Sequence, residues 1–242
     1  MSRATDAVRE TGTSLSTVFS NPSLRRLNLA FSGSAIGDWA YGTAMVIWAY
    51  DVGGARAVGI WYTVRLLLMT VVTPFASTIV DRMPRRLVMI STDLIRSVIC
   101  LIAAALIWAD APPIAVFVLA TIAPLIGAPF RPAVAALMPK LVNNPQELTA
   151  ANGTASTIES LAFFLGPAIG GILVTAFGVP VVVVFNALTF LWSALMVSRI
   201  HVAADEPEAV EAEPVPVGQA GTAPTSEAPA DAIEDETQGF FM

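Results

Sequence analysis

Ser77-Thr78-Ile79-Val80-Asp81-Arg82-Met83-Pro84-Arg85-Arg86 interrupts an otherwise apolar stretch, and it decides how the chain around it must fold. Its four charges and one proline fall between an apolar run at 56–80 and another at 86–109. A bilayer core about 30 Å thick needs roughly 20 apolar residues in a helix, and each run is that long. Two such runs joined by a short, strongly charged break read as two membrane-spanning helices with a loop at the membrane surface.

Working outward, the same alternation recurs. It predicts spans near 27–50, 56–80, 86–109, 112–139, 146–176 and 178–199. The breaks fall at Asp51-Val52-Gly53-Gly54, at 81–86, at Asp110-Ala111-Pro112-Pro113, from Lys140 to Pro145, and at Phe177-Gly178-Val179-Pro180. Each is a charge, Gly or Pro signal that ends helices. At the fifth span Asn144 reads as N-cap, Pro145 as the first helical residue and Glu147 as closing a capping box.

With 55% hydrophobic and 13% charged residues and a mean hydropathy of +0.68, a water-soluble fold is excluded, since ordinary soluble domains carry about 25% charged residues. The net charge of −6 belongs to the C-terminal stretch, and everything before residue 204 is net basic. The basic residues flank apolar runs and do not line one helix face, so nucleic-acid binding has no support. Arg3, Arg9, Arg25, Arg26, Arg82, Arg85, Arg86, Lys140 and Arg199 all fall on one side of a six-span arrangement, whereas the opposite loops hold only Arg56. Short loops rich in Arg and Lys stay inside, so both termini are expected in the cytoplasm and the chain in the cell membrane. Trp48, Tyr50, Trp61, Tyr62 and Trp108 gather near the expected outer ends, where amphipathic rings favour the headgroup region. Residues 1–23 lack an apolar signal region, so the first helix is expected to remain as an anchor.

Three segments give 1–26 as a cytoplasmic N-terminal stretch, 27–202 as a six-helix transmembrane domain and 203–242 as an acidic, disordered cytoplasmic tail, whose Ala, Pro, Glu, Gly and Thr cannot bury enough surface to offset ordering entropy. The tail ends in Gly239-Phe240-Phe241-Met242, where hydrophobicity returns, as in a chain cut before a second half.

The break at 77–86 resembles the cytoplasmic signature G-x-L-a-D-R-x-G-R-R of the major facilitator superfamily, with Ser77 and Pro84 at the glycine positions. A plain positive-inside loop would account for the arginines but not for the aspartate at this spacing. Span five carries Gly153, Ala162 and Gly166-Pro167-Ala168-Ile169-Gly170-Gly171, similar to the superfamily's antiporter signature g-x8-G-x3-G-P-x2-G-G, departing at Ala162. Gly37-Asp38, Arg65, Asp93 to Arg96 and Leu141-Val142 resemble its enterobactin-exporter-like branch, the transmembrane secretion effectors. The fourth span departs, with no arginine near Ala123 ahead of Gly127. The resemblance implies an all-α bundle of two inverted three-helix repeats, the N-terminal half of a transporter. It implies proton-coupled export of a small amphipathic molecule, a drug, siderophore or secreted metabolite, by alternating access. Asp81, Arg82, Arg85 and Arg86 would form the conformational latch. The implied partners are the bilayer, protons, a small-molecule substrate and a missing C-terminal half or a second copy.

Charges at membrane depth carry the strongest signal from the residues themselves, because an Arg or Asp at a helix centre costs about 2.5–3.5 kcal/mol on insertion scales. Asp38, Arg65 and Glu159 lie about mid-span and are the expected substrate and proton-coupling set, Asp38 and Glu159 as protonatable or substrate-facing groups and Arg65 as counter-charge. Asp38 shares a face with Ser34, Tyr41 and Gly42, which suits a cavity, while an Asp38–Arg65 ion pair is the structural rival. Asp93 and Arg96 share a helix face and are expected to pair. Ala162, Gly166 and Gly170 form a small-residue groove that admits another backbone closely, and Glu159 would point with it toward a helix of the second half. No metal cluster or cofactor is expected: Cys100 is the only cysteine and His201 the only histidine. A membrane enzyme is disfavoured for lack of a nucleophile with a base. A membrane scaffold that anchors the tail is the alternative to a transporter.

Overall fold

A computed structural model of the chain describes residues 18–200. The acidic tail and most of the N-terminal segment lie outside them. Among the described residues the architecture is all helical: α1 (Pro22–Arg82), α2 (Arg85–Trp108), α3 (Pro113–Gly127), α4 (Phe130–Leu137) with a 3₁₀ turn at Met138–Lys140, α5 (Pro145–Phe177) and α6 (Val179–Ser198). Five stretches are long and apolar enough to cross a membrane, counting Pro113–Lys140 as one.

The 61 residues of α1 would run roughly 90 Å if straight, about three bilayer cores. The helix is instead broken at Gly53 (φ −153°) and Gly54 (φ 62°, ψ −161°). Two spans with a loop are expected here; the structure has two arms of one element meeting at a two-glycine kink. The φ and ψ of Gly54 lie where only glycine is unstrained. The expected fourth span is likewise interrupted. Ala128 bonds back to Leu125 with 3₁₀ spacing, and Pro129, lacking an N–H, starts the new helix α4. The start of α5 is as the sequence requires, with the Glu147 amide donating to Asn144 Oδ1 at 2.8 Å. The Glu147 carboxylate, however, accepts from the Asn143 amide at 2.8 Å, one residue earlier than a capping box places it.

The core forms two apolar layers. One gathers Leu24, Leu27, Val80, Met89, Leu137 and Val197. The other gathers Met45, Trp61, Ala104, Val116, Val183 and Phe190. α6 packs against both α1 and α2, and α5 packs against α1. That last contact corrects the expectation for the small-residue groove. Ala162, Gly166 and Gly170 are buried, but against this chain's own α1: a Cβ at Gly166 would strike Trp39, and one at Gly170 would stand 2.6 Å from the Ala40 carbonyl oxygen. Close backbone approach is what such a groove provides, and α1 uses it. Gly153 and Gly171 face open space, and Pro167 borders the cavity described next.

Candidate functional site

Between the helices lies a cavity of about 620 Å³ whose lining includes Asp38, Arg65, Arg96 and Arg131. Small-molecule sites commonly measure roughly 300–1,000 Å³. All four fall within segments apolar enough to span a membrane, so the cavity gathers ionisable side chains from membrane-spanning segments.

Arg96 is the most firmly held of them. Its Nη2 donates to Asp38 Oδ1 at 2.5 Å, and the Arg96 side chain is 6% exposed against 41% for Asp38. The guanidinium carbon lies 3.9 Å from the centroid of the Phe190 ring, a cation–π contact. On α3, Gly127 leaves room for it: a Cβ there would come within 2.8 Å of the guanidinium carbon. The expected Asp93–Arg96 pair is corrected, and the rival Asp38–Arg65 pair is not formed. Spacing of three residues brings two side chains to one helix face, but a long arginine goes to the better partner, and that partner comes from α1. Asp93 is fully buried and lies against Ser193 of α6, although neither its carboxylate oxygens nor that hydroxyl closes a hydrogen bond.

Arg65 stands on the second arm of α1, its guanidinium carbon 5.6 Å from the Trp61 ring centroid and 5.9 Å from that of Tyr62. Trp61 is 4% exposed and lies beside Phe117 of α3. Tyr62 lines the cavity, whereas Trp61 packs in the apolar core.

Glu159 also finds its partner within this chain. Its Oε1 lies 2.6 Å from Nη2 of Arg131, with the side chains 42% and 59% exposed respectively. Arg131 is absent from the expectations above. The signal that would have found it is the one applied to the other charges, an ionisable residue inside an apolar span.

At one end of the bundle the basic residues reach across helices. Arg86 donates from Nε to the Val197 carbonyl at 3.2 Å and from Nη2 to that of Ser198, while Arg26 donates to the Arg199 carbonyl at 2.6 Å. These are carbonyls at the C-terminal end of α6, where the helix dipole attracts cations; that of Val197 also accepts from the Ile200 amide at 3.0 Å. Of the expected latch residues, Arg86 thus holds α6, Arg85 has a buried Nε without an acceptor, and Asp81 and Arg82 are exposed at the end of α1. Nearby, Asn21 Nδ2 donates to Glu147 Oε1 at 2.8 Å and to the Leu141 carbonyl at 2.9 Å, tying the starts of α1 and α5 together. Asn21 carried no sequence signal beyond that of a helix cap.

Among known proteins, the chain is similar to the "Putative bacilysin exporter BacE" of Bacillus subtilis (strain 168), 34% identical over 127 residues, which cover 52% of this chain and 31% of the relative. The protein of the same name from Bacillus amyloliquefaciens is 33% identical over the same shares. The matched stretch therefore spans about a third of these relatives' length. No solved structure matches the chain. The family model described as Major Facilitator Superfamily matches residues 27–233. Since that match runs through every residue lining the cavity, the chain belongs to the Major Facilitator Superfamily of membrane transporters.

Proposed function

We propose that this chain is the N-terminal half of an exporter that moves a small amphipathic molecule out of the cell in exchange for protons. The observation that carries the reading is the cavity, in which Asp38, Arg65, Arg96 and Arg131 line one space among apolar helices. Charged side chains in spans mark substrate and proton pathways when they face a cavity. The names of the relatives assign them the export of bacilysin, and likeness to them supports a small secreted metabolite as cargo.

In this reading the kink at Gly53-Gly54 separates two spans, giving six spans as two inverted three-helix repeats, with both termini cytoplasmic. Asp38 is the proton-coupling group: protonating it from the cavity would release Arg96, and losing the proton would restore the pair. The Arg131–Glu159 pair would exchange charge in the same manner. Arg86, pinned to the end of α6, together with Asp81, Arg82 and Arg85, would latch one end of the bundle against the second half. Exposed apolar side chains on the second arm of α1 (Leu66, Leu67, Val71) and on α5 (Phe163, Phe164) supply a face for that half and for lipid.

Efflux from cells expressing the intact gene product, with and without a proton uncoupler, tests the proposal. Uncoupler-sensitive efflux supports it. No efflux of any compound above the Asp38→Asn background would overturn it and leave a membrane scaffold.

A further inference from the structure

We infer that Arg65 is the docking point for a carboxylate on the transported molecule, so that the cargo is an amphipathic anion or zwitterion; the inference rests on the transport reading above. It follows from a charge count around the cavity. The lining holds one acidic side chain, Asp38, against three guanidinium groups, those of Arg65, Arg96 and Arg131. Arg96 is engaged by Asp38, and Arg131 by Glu159. Arg65 is left as the cavity cation with no ion pair and no hydrogen-bond acceptor among the described residues.

Its surroundings fit this role. An unpaired arginine at mid-span is costly unless water or an anion meets it. The Trp61 and Tyr62 rings hold the guanidinium from the side and accept none of its N–H donors as a carboxylate would. Its donors remain free to take a carboxylate in the paired geometry that arginine favours. Trp61 cannot swing away, being buried among core residues, so the guanidinium has a fixed support. Around it Val46, Ile47, Tyr62 and Met69 line the same cavity and offer an apolar surface for the remainder of the molecule. Asp38 lines the same cavity, partly exposed, and would repel a carboxylate placed away from Arg65.

The test uses two probes of equal size, dansyl-phenylalanine and its neutral amide, with energy transfer from the protein's tryptophans as the signal. The purified intact gene product is placed in nanodiscs of phosphatidylcholine alone, and separately with anionic phosphatidylglycerol added. The carboxylate probe is expected to bind at least about tenfold more tightly than the amide. Arg65→Gln should erase that preference, and Arg65→Lys should keep part of it. An anionic lipid headgroup competing for the same guanidinium would show as weaker carboxylate binding in the phosphatidylglycerol discs. Equal binding of the two probes, no binding of either, or a preference that survives Arg65→Gln would overturn the assignment. None of these results depends on proton-driven efflux, so a failure of the transport reading is seen separately.

Discussion

At the residue scale, the Asp38–Arg96 pair is the interaction most open to test. The pair joins α1 to α2 at 2.5 Å. Breaking a fully buried pair costs about 3–5 kcal/mol. The 41% exposure of the Asp38 side chain lets water compensate part of that, so Asp38→Asn should destabilise by about 1–2 kcal/mol and lower the thermal midpoint in detergent. Adding Arg96→Gln should recover most of the loss, because no uncompensated guanidinium is then left against Phe190. Recovery by Arg65→Gln instead would show that Asp38 answers to Arg65, as its sequence position suggested. In efflux assays Asp38→Asn should remove the pH dependence, since the substitution keeps size and deletes the titrating group; unchanged pH-dependent efflux would exclude a coupling role.

At the element scale, helix contact is governed by where small side chains stand. Gly170 and Gly171 are neighbours with opposite surroundings: one lies under the Ala40 backbone and the other faces open space. Gly170→Val is therefore expected to push α5 from α1 and cost about 1–3 kcal/mol, the usual penalty of overpacking. Gly171→Ala should leave stability unchanged or raise it by up to about 1 kcal/mol, the helix-propensity difference. Equal effects at the two sites, read as thermal midpoints, would show that α5 does not pack on α1 through this face. Membrane orientation is also a property of elements. Single cysteines at Gly54 and Asn143, introduced into a Cys100→Ser background, should differ in whole cells. An impermeant maleimide is expected to label Gly54→Cys at the α1 kink and to spare Asn143→Cys; the reverse pattern would invert the topology.

At the scale of the whole molecule, residues 1–242 reconstituted alone in liposomes are expected to show no saturable, gradient-driven flux. In this superfamily alternating access needs one bundle to rock against another around a site between them, and the cavity here has walls from one bundle. Gradient-dependent flux of a dye panel through the 242-residue chain would show that it works alone or as a homodimer. Dimerisation through Ala162, Gly166 and Gly170 is not expected, since α1 occupies that groove. What the sequence by itself determined is the helical class, the positions of most breaks and the presence of charge at membrane depth. In lipid every backbone polar group must be satisfied within its own helix, so apolar runs of sufficient length, ended by Gly, Pro or charge, leave the chain little choice. The cap at Asn144 was legible for the same reason, since its partner lies three residues away. What only the tertiary structure decided is which charge meets which. Three arginines and three carboxylates inside the spans permit several pairings, and local spacing favoured Asp93 for Arg96. The outcome depends on how each helix is rotated about its axis, and that is set by contacts distant in sequence: Gly127 making room for the guanidinium of Arg96 and Phe190 stacking beneath it.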